Sequence, residues 1–305
     1  MKAIVVKMVC CWVWREGFCK KDFSYPKVPN SHSQHWFANI APFLNNSLFK
    51  PRYIFKMGKM MLFVFVFVLL LCFSGIVAYN PGTSWRNSGA FAALKTDGSV
   101  VAWGSSGYGG TAPSSGLDNV QTIYSTGSAF AALKADGSVV AWGNPTAGGT
   151  VPSGLSNVQT IYSAQYAFAA LKTDGSVVAW GGYYIGNSYL PLNAPSGLTN
   201  VQTIYSTYYA FAALKTDGSV VAWGYSLYGG NAPSSVLTNV QTIYSTEYAF
   251  AALKTDGSVV AWGSANSNGG DISAPSGLTN VQTIYSARRA FAALKTDGSV
   301  VAWGN

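Results

Sequence analysis

The fifteen residues AFAALKTDGSVVAWG start at Ala90 and return unchanged from Ala167, Ala210, Ala249 and Ala290. A sixth copy starts at Ala129 and differs only at Ala135, which stands where the others have Thr. Aligned on Trp103, Trp142, Trp180, Trp223, Trp262 and Trp303, the copies lie 39, 38, 43, 39 and 41 residues apart. Such a period means stacked supersecondary units, none of which buries its apolar surface alone.

The unit reads as strands. NVQTIYS, rich in β-branched and aromatic residues, recurs from Asn119, Asn157, Asn200, Asn239 and Asn280. AFAALK and SVVAWG flank an Asp-Gly pair at Asp97-Gly98, Asp136-Gly137, Asp174-Gly175, Asp217-Gly218, Asp256-Gly257 and Asp297-Gly298. Asp-Gly between apolar runs predicts a hairpin closed by a type I′ turn, which needs positive φ at both central residues. The turn accounts for all six aspartates, so no metal ring is inferred from them. The runs are apolar throughout, as in sheets covered on both faces. They are too short for helices and are bounded by Gly and Asp.

The alanines of AFAAL leave room for a large neighbour, which the repeated Phe and Trp can fill. A buried Trp removes roughly 150–250 Å² from water. At about 25 cal/mol/Å² this contributes on the order of 4–6 kcal/mol before entropy, an upper bound. The six tryptophans are therefore the expected structural core and the main glue between units. Small sheets, covered on both faces and recurring at this period, predict an all-β fold, a β-propeller. The alternative, a β-solenoid, usually has shorter rungs and no hairpins.

The motif L-x-x-D-G-x-V-x-x-W-G, with YGG and AP after it and NVQTIYS before it, resembles the regulator-of-chromosome-condensation repeat superfamily. The resemblance covers residues 83–305 and is nearer to the compact propeller-type β-lactamase inhibitory proteins than to the longer-bladed nuclear members. It implies blades in a ring, commonly seven. The family often has Gly after the first strand and His opening the second. Here those places hold Thr or Ala (Thr126, Ala164, Thr207, Thr246, Ala287) and Ala (Ala129, Ala167, Ala210, Ala249, Ala290). The loop residues behind the nuclear members' exchange-factor activity have no match.

Six hairpins accompany five NVQTIYS strands; residues 79–87, YNPGTSWRN, sit where a sixth belongs but match it poorly. Either six blades close imperfectly or the repeats are part of a longer array, and the second is favoured.

Charge and cysteine divide the chain. Residues 1–59 hold ten Lys and Arg against two acids, and residues 60–305 hold nine of each. The repeats thus lack the basic surface that nucleic-acid binding needs. Cys10, Cys11, Cys19 and Cys72 all precede them, so the repeats fold without disulfides.

Lys56 and Lys59 flank the unbroken apolar run of residues 62–73, and Ser74, Gly75 and Ala78 follow. This is the order of a secretory signal peptide, with cleavage expected after Ala78. Residues 57–79 are also long enough to span a bilayer once as a signal anchor, with the basic leader held in the cytoplasm. The chain therefore reads as a leader of doubtful structure (1–56), a signal peptide or anchor (57–78) and a repeat propeller (79–305). Either reading exports the repeats. The favoured one starts the protein at Met57, because residues 1–56 show no sustained period.

The repeats offer no nucleophile–base pair, paired carboxylates, phosphate loop or metal-ligand spacing. No catalytic residue, cofactor or metal is expected. The Gly-Gly pairs at Gly109, Gly148, Gly229 and Gly269 lack the strand–helix context of a nucleotide site. What varies between copies is confined to two windows. One is the pair before each AF: Ser88-Gly89, Gly127-Ser128, Gln165-Tyr166, Tyr208-Tyr209, Glu247-Tyr248 and Arg288-Arg289. The other is the loop after each WG, longest at residues 182–195, with Tyr183 and Tyr184. Binding residues concentrate on loops of rigid scaffolds, and Tyr gives contact area at low entropy cost. Gln165, Tyr166, Tyr183, Tyr184, Tyr208, Tyr209, Glu247, Tyr248, Arg288 and Arg289 are the candidate binding residues, expected on one face. The expected role is a non-catalytic binding or adhesion scaffold for a protein or glycan outside the cell. The alternatives are an inhibitor of an extracellular enzyme and a spacer in a larger surface protein.

Overall fold

The structure is a computed structural model that describes residues 85–266 and 268–305. The leader, the hydrophobic segment and residues 79–84 lie outside the described residues. Among the described residues no helix is long and apolar enough to cross a membrane.

Eighteen strands among these residues form six small antiparallel sheets. Blade 1 is the hairpin β1 (Ala90–Leu94) and β2 (Val100–Gly104). Blade 2 adds a first strand: β3 (Val120–Ser125), β4 (Ala129–Lys134) and β5 (Val139–Gly143). Blade 3 has four strands: β6 (Val158–Ser163), β7 (Ala167–Lys172), β8 (Val177–Ile185) and β9 (Ser188–Pro191). Blade 4 is β10 (Val201–Ser206), β11 (Ala210–Lys215) and β12 (Val220–Gly224). Blade 5 is β13 (Val240–Ser245), β14 (Ala249–Lys254) and β15 (Val259–Gly263). Blade 6 is β16 (Val281–Ser286), β17 (Ala290–Lys295) and β18 (Val300–Gly304). Consecutive blades pack face against face, the blade arrangement of a propeller.

The packing follows from strand alternation. In β4, Ala129, Ala131 and Leu133 point forward to blade 3, where Phe168, Ala170 and Trp180 meet them. Phe130 and Ala132, with Trp142, point back at Ala90, Ala92 and Leu94 of blade 1. A small front face thus receives a bulky rear face. Phe and Trp are cross-strand partners, Phe130 opposite Trp142, with ring centroids 5.3 Å apart. The first strand carries a bulge at Gln121, where the register steps from Val120 to Thr122 against one residue of β4. The extra residue turns Val120 and Ile123 to the same rear face, although their spacing would otherwise put them on opposite faces.

Three further bonds repeat between blades. Trp142, Trp180, Trp223 and Trp262 donate their indole N–H to a carbonyl in the preceding blade's loop, at 2.9–3.1 Å. Tyr124, Tyr162, Tyr205 and Tyr244 reach a Thr hydroxyl of the next blade at 3.1–3.2 Å. The N–H groups of Val120, Val158, Val201, Val240 and Val281 donate to the carbonyl of the preceding blade's turn glycine at 2.9–3.0 Å. The residue before each of these valines, Asn119, Asn157, Asn200, Asn239 or Asn280, takes φ between 53° and 58°. Asn tolerates this left-handed conformation better than most residues.

The hairpin turn differs from the expected type I′. Gly98 has φ 78°, but Asp97 is not in the left-handed region. Lys95 N–H pairs with Ser99 and Gly98 N–H returns to Lys95, so the loop is the three residues Thr96, Asp97 and Gly98. That is a type I turn followed by a left-handed glycine. Asp97 Oδ1 instead accepts the N–H of Ser99 at 2.9 Å and its hydroxyl at 2.6 Å, and the other five turn aspartates do the same. This local bond competes with the two-residue turn and wins.

The serine hydroxyls hold all six turn carboxyls below their ordinary value of 3.8. The unfolded chain therefore binds protons first as pH falls. The stabilisation is complete above the ordinary value and is lost as pH drops through the lowered one. Urea midpoints are expected to be flat above about pH 5 and to fall below about pH 4. A variant with Asn at all six positions should lose most of that acid dependence.

Candidate binding face

The first residue of each variable pair is joined to its counterpart in the next blade through the main chain. Ser88 N–H donates to Gly127, Gly127 to Gln165, Gln165 to Tyr208, Tyr208 to Glu247 and Glu247 to Arg288, at 2.7–3.1 Å. The carbonyl of the second residue accepts the N–H of the residue after WG. Ser105 thus bonds Gly89, Asn144 bonds Ser128, Tyr225 bonds Tyr209, Ser264 bonds Tyr248 and Asn305 bonds Arg289, at 2.8–3.1 Å. The two variable windows are therefore neighbours in space as well as in character.

The loops after WG in blades 1, 2 and 4 make a single 3₁₀ turn ended by a left-handed glycine, Gly109, Gly148 or Gly229. Thr126 and Thr207 clamp two of these turns, donating to Ala147 and Tyr228 at 3.0 and 2.8 Å. The Gly-Gly pairs at Gly109, Gly148 and Gly229 serve this packing. A Cβ on Gly229 would lie 2.6 Å from the Phe250 ring, and one on Gly230 would lie 2.2 Å from the Gly224 carbonyl oxygen.

Tyrosines from both windows form one network. Tyr166 stacks on Tyr209 at 5.9 Å and Tyr183 on Tyr209 at 4.1 Å. Tyr208 and Tyr228 meet Tyr209 edge-on, both at 4.7 Å. Tyr228 continues to Tyr248 at 4.9 Å, and Trp85 abuts Tyr208 at 4.9 Å. The Arg289 guanidinium lies 5.4 Å from the Tyr248 ring centre, the range of a cation–π contact. Arg288 Nε bonds Glu247 at 2.8 Å.

The structure thus gathers Tyr166, Tyr183, Tyr208, Tyr209, Glu247, Tyr248, Arg288 and Arg289. Gln165 joins them through its main chain. Tyr184 does not; it faces Tyr189 on an arm tied to the blade 2 loop, the Tyr189 hydroxyl donating to the Thr146 carbonyl at 3.2 Å. Residues 182–195, read as a loop, contain this arm: β8 runs on to Ile185 and β9 returns from Ser188. Gly186 takes φ 57° and Asn187 is not left-handed, the φ pattern of a type II′ turn. The Gly-Asn pair between aromatic runs was the available signal.

Tyr183 and Tyr248 were expected in exposed loops, but both are buried. Each fills space between blades, and the Tyr183 hydroxyl is buried without a partner. Trp85, Tyr225 and Tyr228 belong to the same wall; Tyr225 and Tyr228 lie in the second variable window, the loop after Trp223-Gly224, of which only the longest copy supplied candidates, and Trp85 precedes the first repeat. Burial pushes the Tyr183, Tyr208 and Tyr209 phenols up, and that of Tyr228 up to about 12. The acidic and basic residues of the face are Glu247, Arg288 and Arg289.

The similar solved structures include yeast RCC1. Prp20p from Saccharomyces cerevisiae is 18% identical, covers 72% of this chain and 70% of its own, and has a TM-score of 0.40. The ectodomain of the Physcomitrella patens receptor kinase CR4 is 18% identical over 73% of this chain, with a TM-score of 0.45. The chain covers 62% of that ectodomain. Human WBSCR16 is 19% identical over 72% of this chain and 74% of its own, with a TM-score of 0.43. No family model matches the sequence, and no curated relative does.

A recess of about 80 Å³, lined by Pro152, Leu155, Lys172 and Val178 among others, lies at the opposite end of β7 from the variable pair. It is well below the roughly 300–1,000 Å³ of small-molecule sites.

Proposed function

We propose that this chain is a non-catalytic binding scaffold, exported from the cell, whose variable windows recognise a protein or glycan. The observation that carries the proposal is the convergence of both windows on one wall. Neutral aromatic rings make up the wall, with Arg288 and Arg289 at one end and the Tyr184–Tyr189 arm beside it. Tyr and Arg are the residues that most often anchor interfaces. The half-buried rings serve as rigid floor, and the accessible groups carry recognition: Arg288 is 70% exposed and Tyr184 is 57% exposed. The basic flank and apolar run of residues 56–79 support export.

A partner captured from the native surroundings tests this. Arg288→Ala combined with Tyr184→Ser and Tyr189→Ser is expected to weaken binding tenfold or more. Arg288→Ala leaves Glu247, 17% exposed, without its partner, and Tyr189→Ser removes the bond to Thr146. The melting temperature should therefore fall by several degrees while the far-UV circular dichroism stays unchanged. Tyr208→Phe with Tyr209→Phe keeps the rings and reports the share of the phenol groups. Unchanged affinity in the triple variant would remove the face from consideration. A captured soluble enzyme that loses activity would mark an inhibitor, and no partner at all would mark a spacer. Mass spectrometry of the native N-terminus tests export directly: a start after Ala78 supports it.

A further inference from the structure

Each blade carries an Asp-Gly pair at an exposed turn, and the side chains of Asp174, Asp217 and Asp297 are 61–62% exposed. Such a pair can rearrange, because glycine has no side chain to shield its nitrogen. The nitrogen attacks the Asp side-chain carbon. An N–Cγ bond forms, the carboxyl C–O bond breaks, and its hydroxyl leaves as water with the nitrogen's proton. Water then adds to the main-chain carbonyl carbon of the cyclic imide and breaks that carbon's bond to nitrogen. The chain now runs through the Asp side chain, longer by one carbon, beside a free α-carboxyl. The mass is unchanged and water is the only reagent. The damage would reach past the turn. The Gly137 carbonyl accepts the Val158 N–H of the next blade at 2.9 Å, and Gly98, Gly175, Gly218 and Gly257 accept the matching valines. An added carbon in a three-residue loop displaces that carbonyl and loosens the joint between two blades.

We propose that the serine after each Asp-Gly pair protects its turn from this rearrangement, so that six exposed modification sites are held unreactive in the folded chain. The serine N–H and hydroxyl hold the Asp Oδ1 at 2.9 Å and 2.5–2.6 Å in every turn. The turn glycine N–H donates to the Lys carbonyl three residues back, at 3.0 Å in all six. Ring closure must swing the carboxyl away from serine and take the proton from the glycine nitrogen. All three bonds are lost on the way. The serine bonds also hold the carboxyls below their ordinary value, which depletes the protonated acid whose hydroxyl must leave. The residue before Asp does not supply this protection. Blade 2 has Ala135 there in place of Thr, and Asp136 keeps the same bonds to Ser138 at the same distances.

Incubation of the full 305-residue chain at neutral pH in oxygen-18 water tests this. Every imide that reopens takes up one heavy oxygen, which mass spectrometry with fragmentation locates after digestion in ordinary water. Trypsin places the six turns in peptides of different sequence, so each is followed separately. A synthetic peptide of residues 94–101 gives the unprotected rate. The native turns should rearrange about a hundredfold more slowly than that peptide, as expected when bonds to a charged group must break first. Ser138→Ala removes the hydroxyl bond and keeps the main-chain one. It should speed the reaction at Asp136 about tenfold and leave the other five turns unchanged. Ser138→Thr, which keeps a hydroxyl, should restore the slow rate. Three results would overturn the proposal. These are native turns as fast as the peptide, an unchanged rate at Asp136 in Ser138→Ala, and a rise at all six turns in that variant. The last would place the protection in the fold as a whole rather than in the serine.

Discussion

Phe211→Ala is expected to remove about 3–5 kcal/mol of stability, whereas Phe91→Ala should change it by less than about 1 kcal/mol. The two phenylalanines occupy the same place in identical fifteen-residue segments, so sequence context cannot separate them. Position in the stack does. Phe211 is fully buried in a cluster with Ala167, Ala169 and Leu171 of the preceding blade, and its loss leaves a cavity between rigid sheets. Phe91 has no blade behind it among the described residues. Urea titration followed by tryptophan fluorescence would measure both changes. Equal costs would mean that Phe91 is covered in solution.

Gly230→Ala is the second large effect, although it adds a single methyl. The new Cβ would lie 2.2 Å from the Gly224 oxygen and 2.4 Å from its carbonyl carbon, and neither atom belongs to a movable side chain. The loop must shift. Its shift would pull the Gly229 carbonyl from the Trp262 indole, now bonded at 3.0 Å, and leave a buried N–H unpaired. Overpacking and the orphaned donor together predict a loss of about 2–5 kcal/mol. An upfield move of the Trp262 indole proton resonance should accompany it. Gly197→Asn is the control. No atom lies within 4 Å of a Cβ there, and Asn tolerates its φ of 73°, so less than about 1 kcal/mol is expected.

The frame was legible because its logic is local and repeated. Alanine spacing announced a surface that accepts large side chains, and Phe and Trp fill it. Asp-Gly announced a hairpin. The turn type was misread because Ser99, one place beyond the pair, supplies the bond that holds Asp97 in the ordinary backbone region. The left-handed asparagines before each Val were hidden inside a strand-like motif, and nothing in NVQTIYS marks its first residue as a corner. The candidate face was less legible. Variation between copies located Tyr183 and Tyr248, but variation cannot distinguish a side chain that meets solvent from one that wedges between blades. Burial depends on the next repeat, which a reading of one copy does not contain. The arm carrying Tyr184 and Tyr189 was missed because a long insertion in one repeat looks like slack until its two halves are paired.

The row of bonds through Ser88, Gly127, Gln165, Tyr208, Glu247 and Arg288 has a consequence for how such a chain can change. Each rung is a peptide N–H meeting a peptide carbonyl, so none of them reads the side chain attached to it. Glycine, glutamine, tyrosine, glutamate and arginine hang on the same rail without altering it. Substitutions here can alter what the surface displays while leaving the rail intact. Gly127 is the tightest place on it: a Cβ there would lie 2.4 Å from the Gln165 side-chain amide, so a side chain at 127 requires Gln165 to swing aside. Duplication supplied a rigid rack, and the rack separates the inheritance of a fold from the exploration of new specificities.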